Sequence, residues 1–85
     1  MLQLRDGVQR VTTAGSALLF DTRSGGYFTL NPTAATVLDA LAETGDPDSA
    51  AARLTATYGI DAARAAADVT ALTTRMTELR LVEDR

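Results

Sequence analysis

The chain has no histidine, no cysteine, no lysine and no tryptophan. Without imidazole and thiolate it lacks the usual general base, the usual activated nucleophile and the soft metal ligands, and without lysine it has no Schiff-base amine. Carboxylates alone can hold a hard cation, but no Asp/Asn ladder of the EF-hand kind occurs. Composition therefore predicts a protein that binds rather than one that catalyses, with no catalytic, cofactor-binding or metal-ligating residue. Long apolar runs are missing too, so no transmembrane helix is expected. Met1 is followed by Leu2-Gln3-Leu4-Arg5, not by the basic segment and apolar stretch of a secretory signal. The expectation is a cytoplasmic protein without a membrane partner.

Eighty-five residues allow one domain, taken here as 1–85. At this size about 60–65% of the unfolded chain's surface can be buried, enough for one thin core. The net charge of −3 is unevenly spread. Residues 1–30 hold three arginines and two acids, whereas residues 31–85 hold five arginines and nine acids. An acidic second half opposes binding to duplex nucleic acid, where neutralisation of phosphates by Lys and Arg supplies most of the affinity.

The two halves also differ in pattern. Val8-Gln9-Arg10-Val11-Thr12, Ala17-Leu18-Leu19-Phe20-Asp21 and Tyr27-Phe28-Thr29-Leu30 are strand-like runs. They are separated by Thr13-Ala14-Gly15-Ser16 and Thr22-Arg23-Ser24-Gly25-Gly26, which read as turns. Connections this short permit only hairpins, so the runs predict a three-stranded antiparallel meander. Leu2 and Leu4 alternate as well and leave a further N-terminal strand open. After Leu30 helix signals take over. Asn31-Pro32, Asp46-Pro47 and Asp61 are start devices, and Gly45 and Gly59 are stops. The third helix, expected over 62–80, has the best periodicity, with Ala65, Val69, Leu72, Met76 and Leu79 on one face. The expected fold is α+β: βββααα, a three-stranded antiparallel sheet followed by a three-helix bundle. Its large core candidates include Phe20, Phe28, Leu30, Val37, Leu38, Leu41, Leu54 and Tyr58.

Two constellations bear on function. Tyr27-Phe28-Thr29-Leu30 ends the meander, so one of its edges has no neighbour, and it carries no charge or proline to block pairing. Such an edge is either a docking site for an extended peptide or simply a short strand of the core. Alternation puts Tyr27 and Thr29 on one face, Phe28 and Leu30 on the other. On helix three, Arg64, Asp68, Ala71, Arg75 and Glu78 form a stripe beside the apolar one. It is either a solvated face with local pairs, Arg64 with Asp68 and Arg75 with Glu78, or the charged border of a peptide groove. Gly25-Gly26 precedes a strand and lacks phosphate-loop spacing, so it is a turn.

Gly26-Tyr27-Phe28-Thr29-Leu30-Asn31-Pro32-Thr33-Ala34-Ala35 resembles the strand-to-helix signature of PqqD-like domains, the recognition elements of ribosomally made, modified-peptide (RiPP) pathways. Leu54-x-x-x-Tyr58-Gly59-Ile60-Asp61, Asp68-Val69-x-x-Leu72 and Leu79-x-x-Val82 agree in order and spacing. The length is similar to that of the stand-alone B1 proteins of lasso-peptide biosynthesis. One departure is Arg80-Leu81, where the family often has glycine before its terminal leucine. The resemblance implies a non-catalytic domain that binds the leader region of a precursor peptide as an added strand, against the third helix. Its site residues would be Tyr27, Phe28, Thr29 and Leu30 on the strand and Asp68, Val69, Leu72, Arg75 and Met76 on the helix. It also implies a leader peptidase, a B2-type cysteine protease, as partner, with a cyclase acting afterwards. The residues leave two alternatives: a winged-helix nucleic-acid binder, and a PqqD-type carrier of another modified-peptide pathway such as pyrroloquinoline quinone synthesis.

Overall fold

The computed structural model describes residues 2–13 and 16–84. The first expected turn centres on Ala14 and Gly15, outside the described residues. The order is β1 (Leu2–Leu4), β2 (Val8–Thr13), β3 (Ser16–Asp21), β4 (Tyr27–Leu30), α1 (Pro32–Thr44), α2 (Pro47–Tyr58), α3 (Ala62–Glu78) and β5 (Val82–Asp84). Strands β2, β3 and β4 form the expected antiparallel meander, with β2 and β4 at its edges. The N-terminal strand exists but does not join that sheet. It pairs with β5 in a separate two-stranded ribbon, Leu2 opposite Asp84 and Leu4 opposite Val82.

Each helix begins as its sequence dictates, and α1 and α2 also end so. The Asn31 side chain accepts from the Ala34 N–H, and Asp46 and Asp61 accept from Asp48 and Ala63. Gly45 and Gly59 close α1 and α2 with φ of 67° and 69°, the left-handed region glycine enters without a Cβ penalty. Helix α3 stops at Glu78, short of the expected 80. Leu81 N–H donates to the Met76 carbonyl and Arg80 N–H to the Thr77 carbonyl, 2.9 and 3.0 Å. This is a Schellman closure that normally places glycine at the left-handed residue, and here Arg80 takes that position with φ 58°. The same turn redirects the chain into β5.

The core has two lobes. One joins sheet and helices through Val8, Ala17, Leu19, Leu30, Leu38, Met76, Leu81 and Val82. The other is helical and alanine-rich, with Ala40, Ala50 and Ala65 letting backbones approach around Val37, Leu41, Leu54 and Val69. Phe20, expected inside, lies on the outer face of the sheet, because β3 turns Ala17 and Leu19 inward. Leu79 is exposed because α3 has ended before it. Tyr58 is also exposed, but its hydroxyl bonds the Pro32 carbonyl and Thr36, tying α2 to the start of α1. In the β3–β4 turn, Asp21 accepts from the backbone and side chain of Arg23, which holds its carboxyl below the ordinary 3.8.

Candidate functional site: the β4 edge and the α1–α3 groove

Hydrogen-bond phase decides what β4 offers. In an antiparallel ladder, opposed residues alternate between pairs that exchange hydrogen bonds and pairs that do not. Asp21 N–H donates to the Gly26 carbonyl at 2.8 Å, one step beyond the Phe20–Tyr27 pair. Asp21–Gly26 is therefore a bonded pair, and so are Leu19–Phe28 and Ala17–Leu30. Tyr27 and Thr29 turn their N–H and C=O groups the other way, out of the sheet. They are the open main-chain groups of this edge.

Side chains follow the expected alternation. Leu30 is buried, and half-buried Phe28 packs on the lobe that contains Met76, with Leu72 against the same lobe. Tyr27, 71% exposed, and Thr29 lie on the outer face. The Tyr27 side chain is thus on the opposite face of β4 from the helices.

Beyond the end of β4 a groove of about 450 Å3 runs between the start of α1 and α3. Asn31, Thr33, Ala34 and Val37 form one wall, Arg64, Asp68, Ala71, Leu72 and Arg75 the other, with Leu54 also contributing. A neighbouring depression shares Thr33, Arg64 and Asp68 and extends toward Gly59, Ile60 and Asp61. The charged stripe of α3 therefore borders this groove. Arg64 and Asp68 approach to 3.9 Å, the loose i,i+4 pair expected. The expected Arg75–Glu78 pair does not form, and Arg75 has no ionic partner among the described residues. The groove thus carries two cations and one anion on an acidic protein.

Of the residues the sequence singled out, the structure gathers Asp68, Leu72 and Arg75 into the groove, and packs Phe28 and Leu72 against the same core lobe. Leu30, Val69 and Met76 are core residues, with Met76 0% exposed. In this structure they support the groove from beneath, and their side chains do not face its opening. Sequence reading placed Arg64 on the charged stripe that could border a groove but left it out of the site residues, and it passed over Asn31 and Thr33 as site residues. The i, i+4 spacing of Arg64 and Asp68 had already marked that pair, which the groove now contains. Asn31 and Thr33 were visible only as the helix start.

The family model of Coenzyme PQQ synthesis protein D (PqqD) matches residues 16–82. Among solved structures, a lasso peptide synthetase B1 complexed with the leader peptide is 31% identical, with a TM-score of 0.90 and 98% of each chain covered. TbiB1 in complex with the TbiA(beta) leader peptide is 19% identical, with a TM-score of 0.87 over 98% of this chain and 96% of that one, a likeness of fold. A search of curated proteins finds no match.

Proposed function

The chain belongs to the PqqD family, and on that footing we propose that it is a non-catalytic recognition protein of lasso-peptide biosynthesis. It binds the leader region of a precursor peptide by strand addition to β4 and presents it to a separate leader peptidase. The carrying observation is the open edge itself: Tyr27 and Thr29 aim paired donors and acceptors outward on an uncharged strand. The similarity to a B1 protein complexed with a leader peptide supports the nature of the occupant.

The ladder phase sets how such a leader is read. Residues opposite Tyr27 and Thr29 extend the outer face, where Tyr27 offers an aromatic cross-strand neighbour. The alternate residues point toward the helices. Main-chain pairing is available to any sequence, so selection falls to these groove-facing side chains. Half-buried Leu72 and Phe28 suit apolar ones, and unpaired Arg75 suits a carboxylate.

The test is a titration with a synthetic leader from the adjacent precursor gene, read by amide hydrogen exchange. Strand addition protects the Tyr27 and Thr29 amides and leaves those of Phe28 and Leu30, already bonded to β3, unchanged. Binding without new protection at Tyr27 and Thr29 overturns the edge. No binding at all overturns the function. Presentation is read separately, as faster leader cleavage by the partner peptidase when this chain is added.

A further inference from the structure

The main chain of two residues joins α3 to the meander. Leu81 N–H donates to the Met76 carbonyl at 2.9 Å, in the last turn of α3, and the Leu81 carbonyl accepts from Arg5 N–H at 3.0 Å. The Arg5 carbonyl accepts in turn from the N–H of Val8, the first residue of β2, at 3.0 Å. Hydrogen bonds in series thus run from α3 through Leu81 and Arg5 to the sheet. The left-handed Arg80 makes the turn that brings Leu81 back onto Met76. Arg5 opposite Leu81 continues the register of the β1–β5 ribbon by one step, so Gln3 and Glu83 are its next bonded pair. Side chains follow the same line, with Leu81 and Val82 buried beside Met76, Leu30 and Val8 in the sheet-side lobe. Elsewhere α3 leans chiefly on α2, whereas α1 is the helix that packs on β3 and β4. The groove wall formed by Ala71, Leu72 and Arg75 lies just before this tether.

We infer that the Arg5–Leu81 link is a strut that holds the groove wall of α3 in place against β4, so that leader binding and closing of the ribbon favour each other. The inference rests on the leader-binding function proposed above. Neither residue lines the groove, so both act as positioning residues, through their main chains. A wall that leans on α2 and is tied to the sheet at its far end loosens when the tie is cut. A leader that needs the wall in place then binds only the fraction of molecules in which it is held, and its apparent affinity falls by that fraction. By linkage, bound leader favours the closed strut by the same factor.

The test compares Arg5→Pro, which deletes the N–H given to Leu81, with Arg5→Ala, which keeps that N–H and loses only the side chain and its 3.9 Å approach to Glu83. Both are measured where melting curves show them fully folded. Without leader, amide exchange in the last two turns of α3 should be about tenfold faster in Arg5→Pro than in the parent or Arg5→Ala, with the ladder amides of Leu19 and Phe28 unchanged. Synthetic leader should bind Arg5→Pro about tenfold more weakly and Arg5→Ala within about twofold of the parent. Should Arg5→Pro fail to fold, Glu83→Pro breaks the next rung and takes its place in both arms, with Glu83→Ala as its control. Parental exchange in α3, undiminished leader affinity of the proline variant, or an equal loss in the alanine variant overturns the inference. A parent that binds no leader overturns the proposed function and this coupling with it, whereas a parent that binds leader no better than Arg5→Pro overturns the coupling alone.

Discussion

The two edges of the meander are built from the same antiparallel ladder and are equipped in opposite ways. At the β2 edge, Val8, Arg10 and Thr12 turn their main-chain groups outward, because Thr22 N–H bonds the Gly7 carbonyl and sets the phase. The first of these is already used, since Val8 N–H donates to the Arg5 carbonyl at 3.0 Å. The second belongs to an arginine tied across to Asp39. At the β4 edge, Tyr27 and Thr29 are turned outward with no charge on the strand and with the groove at its end. Proteins blunt edges they do not use with charge and local capping. By that criterion β2 is guarded and β4 is left available.

The largest effect should fall on the core beneath both edges. Met76→Ala leaves a cavity in the sheet-side lobe and should lower stability by about 2–5 kcal/mol, seen in thermal melts. The fraction that stays folded should still bind leader, because Met76 lies under the groove and does not line it. A folded Met76→Ala protein with parental stability and no leader binding would place Met76 in the groove wall instead.

The sharpest contrast between the edges comes from proline. Thr29→Pro removes an outward N–H and should weaken leader binding about a hundredfold, one unpaired group and a ring clash together. Thr12→Pro removes the equivalent group from the β2 edge and should leave leader affinity within about twofold, since edge positions tolerate proline. Equal losses in two folded variants would erase the distinction. Leu72→Ala comes next, at about 2 kcal/mol or thirtyfold in affinity, the usual cost of truncating a central anchor.

Smaller changes refine the picture. Arg80→Gly relieves a left-handed backbone and should raise stability by about 1 kcal/mol without altering leader affinity, since it touches neither edge. Arg75→Ala should cost less than about 1 kcal/mol of binding at physiological salt and flatten its salt dependence, as for a rim charge. If Arg75→Ala abolishes binding while folded Leu72→Ala binds normally, the groove recognises charge before shape.

Much of this was legible in the sequence because local chemistry decides it. Asn31-Pro32 fixes where strand gives way to helix, and Gly45 and Gly59 end helices through their own backbone freedom. The alternation of Tyr27 to Leu30 gave the faces of β4 directly. What stayed hidden depends on distant partners. Ala17-Leu18-Leu19-Phe20 is apolar throughout, so only its neighbours decide that Leu19 goes in and Phe20 goes out. Val82–Asp84 is three residues with no periodicity of its own, and becomes a strand by meeting Leu2–Leu4. Met76 and Leu72 share one helical stripe, yet Met76 is buried inside the sheet-side lobe while Leu72 is half-buried against both lobes. Which edge groups of β4 are free depends on the phase of the ladder, which side-chain alternation does not give.

The ribbon also bears on the order in which the molecule is assembled. Its ladder joins Leu4 to Val82 across almost the whole chain, so β1 has no partner until the last strand has been synthesised. Each doubling of the loop to be closed adds only about 0.6 kcal/mol, but that closure must still follow everything in between. The meander and the three helices are made of contacts between near neighbours in sequence and can pack while the C-terminus is still emerging. The β4 edge is therefore complete before the ends are tied, whereas the lobe that joins α3 to the sheet, with Leu81 and Val82 beside Met76, closes only with the ribbon.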